Sequence, residues 1–207
     1  MMNNLMQSFA LVEMSVSCAL VLIWVLQKTA YQSFPLAAKL FLLLVFANLF
    51  FWPLGMSMEL PLAAYVRGVV GDLSIVTTLL LWCTLLPGNK PTPWVFKLSL
   101  TIIAVAFYPF ALGLTMFDPY AWGYGSIPFF IGVLIFAVIC GLANWTKGVW
   151  IIGLAIIAWG VHWHESANLW DYLFDPLLVF WAVLSLIGAT MRKRKEKARA
   201  GYLFRPG

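Results

Sequence analysis

The sequence predicts an all-α fold: a polytopic transmembrane helical bundle of about seven spans, N-out and C-in. Three observations predict it. The chain is 63% hydrophobic and only 10% charged, against roughly half apolar and a quarter charged in soluble domains. Its apolar runs approach the ~20 residues that carry a helix across a bilayer. Its basic residues gather at every second boundary between those runs and culminate in the tail RKRKEKAR, the pattern expected when cytoplasmic loops retain Lys and Arg.

Apolar runs bounded by Pro, Gly and charge place the spans at 8–27, 36–57, 62–86, 94–116, 127–143, 148–166 and 176–191. They form one transmembrane domain over 1–191, followed by a basic cytoplasmic tail over 192–207. Spans of this number leave no room for a soluble domain, so any chemistry belongs in the membrane or at its surface. With the tail inside, Lys28, Lys39, Lys90, Lys97 and Lys147 fall on inner segments, and Arg67 alone among the 13 basic residues falls on the outer half. Of the 8 carboxylates all but Glu196 fall outside or in the outer half. Acidic residues contribute little to orientation, so this second asymmetry calls for its own explanation. Localisation to a bacterial plasma (inner) membrane is expected.

The first span carries Glu13 near its outer end and Ser17 one turn on. Glu has a short side chain that reaches water poorly from within a bilayer, so Glu13 is a candidate for pairing or substrate binding. The absence of a basic leader and a small-residue cleavage site marks this segment as a retained helix. The second span holds Asn48, a helix-to-helix hydrogen-bonding residue, and Pro53, expected to kink it.

The third span, LAAYVRGVVGDLSIVTTLLLW, is the most informative helix. On a continuous helix Arg67, Gly71, Ser74 and Thr78 align in one small and polar stripe, while Asp72 lies about 140° from Arg67. Asp72 would sit roughly 15 Å along the span, near the bilayer midplane. A carboxylate there is costly unless paired, and an intramembrane ionisable residue is a functional candidate by default. A fourth span with Pro109 leads to the aromatic, Gly-rich outer loop FDPYAWGYGSIP, a connecting loop suited to headgroup depth. The fifth and sixth spans are joined by NWTKG, whose sequon faces inward on this topology and is discounted.

The sixth span runs into VHWHESANLWDYLFDP, which holds both histidines. If the helix continues, His162 and Glu165 share a face at i, i+3, whereas His162 and His164 point about 200° apart. Either the helix unwinds there or only one histidine faces a site. Asp175 before Pro176 reads as the N-cap of the last span.

Candidate site residues are therefore Asp72, His162 and Glu165 in catalytic roles and Arg67, Glu13, Asp171 and His164 in substrate binding. One function that follows is acid/base or metal-assisted chemistry on a lipid-borne envelope substrate. His162 or Glu165 would act as acid/base, Arg67 would grip an anionic group and the carboxylates could hold a divalent cation. Alternatives are a proton-coupled transporter relaying through Asp72, an accessory or assembly subunit pairing with a membrane-protein partner and, last, a haem subunit. The spacing HxHE is not HExxH, and no CxxC occurs. Cys18, Cys83 and Cys140 read as packing residues. Partners expected are membrane lipids, including anionic lipid at the basic tail; nucleic acid is excluded by where the basic residues lie.

Overall fold

The computed structural model describes residues 2–203 except 31–32, 56–58, 87, 89 and 115. The expected end of the second span at 57, Pro87 and Asn89 of the following inner loop, and the last four residues of the tail lie outside the described residues. Among those described, the chain is all-helical, with no strand. Its helices are α1 (Met2–Thr29), α2 (Leu36–Phe51), α3 (Leu62–Val70), α4 (Ile75–Trp82), α5 (Trp94–Ala111), α6 (Ile127–Leu142), α7 (Thr146–Gly160), α8 (Leu169–Leu173) and α9 (Pro176–Leu203). Stretches of three helices, Gln7–Thr29, Trp94–Ala111 and Pro176–Arg199, are long and apolar enough to cross a membrane. The segments Leu36–Phe51, Ile75–Leu85, Ile127–Leu142 and Thr146–Gly160 are apolar but shorter.

Local chemistry explains most of the boundaries. Pro53 ends α2 rather than kinking it: the residue before a proline is driven out of the helical region, and Trp52 is extended at ψ 145°. Pro128 lies in the first turn of α6, where a missing N–H costs nothing. The tail expected to start at 192 continues α9 as helix as far as Leu203.

The largest departure is in the third run. Gly71 adopts φ +81°, a conformation that glycine reaches without steric cost. The helix stops at Val70 and restarts at Ile75, so the stripe predicted for a continuous helix does not form. Ser74 caps the restart, its hydroxyl accepting from the Thr77 N–H at 3.2 Å.

The chain divides into two compact units. The first comprises residues 1–90 and 122–175, the second 91–121 and 176–207. In the first, α1 packs along α2, α3 and α4, while α7 packs on α4, α6 and α8. Met14, Ala63 and Leu73 are its buried contact between α1 and the broken helix. In the second, α5 packs on α9.

Candidate functional site

Glu13 lies on the face of α1 that meets the broken helix, with only 9% of its surface exposed. Its carboxylate is fully engaged. Oε1 accepts from the Thr78 hydroxyl of α4 at 2.8 Å. Oε2 accepts from the Trp163 indole N–H at 3.1 Å and lies 3.4 Å from His164 Nε2. Residues far apart in the chain thus converge on one buried carboxylate, which meets the requirement that a buried charge be paired and hydrogen-bonded.

His164 reaches Glu13 because α7 does not continue through it. The helix ends at Gly160 and His162 takes a left-handed φ of +53°. This corrects the expected His162/Glu165 helical face. His162 and Glu165 are exposed, whereas His164 is buried. The backbone N–H of His164 donates to the Tyr172 hydroxyl at 3.0 Å, and that hydroxyl in turn faces the carbonyls of His164 and Ser166 at 3.1 and 2.9 Å. The two rings stack at 5.1 Å and 20°. Burial pushes the Tyr172 hydroxyl up, so it stays protonated and keeps its place between these groups.

The helix break also changes the relation of Arg67 to Asp72. On a continuous helix they would lie on different faces. With Gly71 turned out of the helix, Asp72 folds back and takes Arg67 in a two-point pair, Nε to Oδ1 and Nη2 to Oδ2, the latter at 2.9 Å. Glu165 Oε1 approaches the same guanidinium at 3.6 Å. Planar two-point pairing of this kind is the geometry for which guanidinium is suited.

Asp72, Glu13 and His164 line one small cleft with Ala10, Met14 and Leu73. Among the seven residues singled out in the sequence, these three come together, with Arg67 beside them through Asp72 and Glu165 in turn beside Arg67. Asp171 does not line the cleft. On α8, it accepts from the hydroxyl of Ser166, which precedes that helix. His162 is likewise outside. Among the described residues, no group of three His, Cys, Asp or Glu side chains is arranged to hold a metal ion.

Three participants escaped the sequence reading. Thr78 was visible only as part of a small-residue stripe, and Trp163 was not singled out. The third is Asp175, expected to cap the last helix. Its Oδ2 accepts from the Ser74 backbone N–H at 3.0 Å, the Ser74 hydroxyl at 2.6 Å and the Thr77 hydroxyl. A carboxylate is thereby placed at the N-terminus of α4, where the helix dipole favours negative charge, and it pins the restart of the broken helix. Asp175→Ala is expected to lower the unfolding free energy by about 2–3 kcal/mol, and Asp175→Asn by less, because one acceptor oxygen remains. Denaturation of the purified variants in detergent measures the difference.

Comparison of the chain with protein-family models, with curated proteins and with solved structures finds no match.

Proposed function

We propose that the protein is an integral membrane protein that carries out acid–base chemistry on a lipid-borne substrate at the outer face of a bacterial plasma membrane. The single observation that carries this reading is the buried Glu13–His164 pair, which lines a cleft together with Asp72. A carboxylate set against an imidazole nitrogen fixes the orientation of the ring, and the two groups together form a pair through which a proton can pass. Arg67 serves differently from the expected anion grip. Its guanidinium is matched by Asp72 and Glu165, and its part is to hold the Asp72 carboxylate at the cleft.

The topology belongs to the same proposal. Seven crossings with the amino terminus outside put Lys28, Lys39, Lys90, Lys97, Lys147 and the tail in the cytoplasm, following the positive-inside rule. The broken pair α3–α4 makes up one crossing, and irregular backbone at membrane depth is tolerated where protein surrounds it or it lines a cavity. The basic tail attracts anionic lipid at the inner surface.

A second reading, proton-coupled transport, is favoured by that same break, since discontinuous helices with ionisable residues at the gap form ion and substrate sites in transporters. Complementation separates the two. Cells lacking the gene are expected to regain their wild-type lipid and glycolipid profile by mass spectrometry with the native protein. Glu13→Gln, His164→Ala and Asp72→Asn should fail to restore it at equal membrane abundance. Full restoration by all three would sink the proposal, and an unchanged lipid profile combined with proton flux in proteoliposomes would establish transport instead. The topology has its own check. In a background without Cys18, Cys83 and Cys140, cysteines placed at Asp118 and Lys147 should label from opposite sides of the membrane; labelling from one side refutes the seven-crossing arrangement.

A further inference from the structure

We infer that Lys97, Ser185 and Trp181 in the second unit form a site for an anionic phosphoryl group, supplied by a phospholipid headgroup or by free phosphate. Lys97 lies one turn inside α5. Its ammonium donates to the Ser185 hydroxyl of α9 at 2.7 Å and sits 5.2 Å from the centroid of the Trp181 ring. Both partners are uncharged. Among the described residues no carboxylate pairs with Lys97, and the charge that acts on it is the like charge of Arg192.

An ammonium carries three donors, and the Ser185 bond uses one. Ser185 accepts that bond and, among the described residues, donates none, so its hydroxyl proton is also available. Two N–H donors and one O–H donor, beside a second cation, match the several acceptor oxygens of a phosphoryl group. A Lys near the end of a membrane helix ordinarily extends to water, whereas this one is held against a serine located before the first charge of the tail, Arg192. The aromatic ring stabilises the cation through its π-face but adds no negative charge. Trp94, Trp181 and Leu184 nearby are exposed, so the site opens sideways to whatever surrounds the helices, which is lipid if the chain crosses a membrane as proposed.

The test is binding to the purified full-length protein in detergent, read by native mass spectrometry and by thermal shift. The probes are dioctanoyl phosphatidylglycerol, dioctanoylglycerol, which lacks the phosphate, and inorganic phosphate. Phosphatidylglycerol is expected to bind and raise the melting temperature, and dioctanoylglycerol is not. Lys97→Gln and Ser185→Ala are each expected to weaken binding about tenfold, Lys97→Arg to retain it and Lys39→Gln, on α2, to leave it unchanged. Competition by millimolar inorganic phosphate would identify a free anion as the occupant, and its absence would identify the lipid. Equal binding by the native protein, Lys97→Gln and Ser185→Ala overturns the inference, as does equal binding of dioctanoylglycerol. Should Lys97→Gln fail to fold, Ser185→Ala, which removes a single hydroxyl, decides the outcome. Because every arm reads binding, its failure is distinguishable from a failed topology, which cysteine labelling reports.

Discussion

Replacing Glu13 by alanine is expected to remove function completely and to lower stability by about 3 kcal/mol. The loss follows from what the carboxylate satisfies. The Thr78 hydroxyl, the Trp163 indole and the His164 imidazole all turn towards it in a buried setting, and donors left without an acceptor bear their full desolvation cost. The Phe9 ring, 5.4 Å from that of Trp163, would lose a fixed neighbour as well. Glu13→Gln separates the two consequences. The amide keeps one oxygen to accept a hydrogen bond, so most of the stability should remain, but it cannot exchange a proton. Stability near that of the native protein with no function marks an acid–base role. A Glu13→Gln protein that functions normally would reduce Glu13 to a packing residue. Thermal unfolding in detergent, run beside complementation, gives both readouts.

The second large effect is expected at Gly123. A Cβ there would lie 1.6 Å from Asn168 Oδ1, 2.5 Å from its Cγ and 2.9 Å from Trp170 Cδ1. A flexible side chain could step aside, but Asn168 cannot do so freely. It is fully buried, and its Oδ1 caps α8 by accepting from the Trp170 N–H at 2.9 Å. Trp170 is in turn stacked on Phe129 at 4.3 Å. Gly123→Ala therefore has to displace the cap, the indole or the loop, at a cost of about 3 kcal/mol, and it should loosen the 161–175 stretch that presents His164. A melting temperature close to that of the native protein would show that the loop yields easily.

These two positions differ in how far the sequence announced them. Glu13 stood out because a short carboxylate in an apolar run needs a partner, and the structure supplies three. Gly123 lay in a stretch read only as a Gly-rich connecting loop, since a close approach between residues 45 positions apart leaves no local signal. Apolar runs located most of the helices, although several helices ended short of the runs that contain them. Periodicity failed where a glycine changed the backbone: Gly71 reads equally well as a small residue within a helix or as a break, and only the second brings Asp72 onto Arg67. Gly160 was more legible, because a glycine closing an apolar run is a common stop signal. Reading it so would have released the histidines from helical spacing and allowed His164, rather than His162, to face inward. Asp175 was legible only in part. An Asp-Pro pair fits a local cap so well that the longer-range claim from Ser74 and Thr77 went unseen.

The sequence separations within the Glu13 cluster also impose an order on biosynthesis. Thr78, Trp163 and His164 follow Glu13 by 65, 150 and 151 positions. At roughly 5–20 residues per second of translation, α1 leaves the ribosome on the order of ten seconds before its last partners do. For the later part of that interval Thr78 is the one of these three partners already made. The contacts of Glu13 are thus completed only when the loop after α7 has been made.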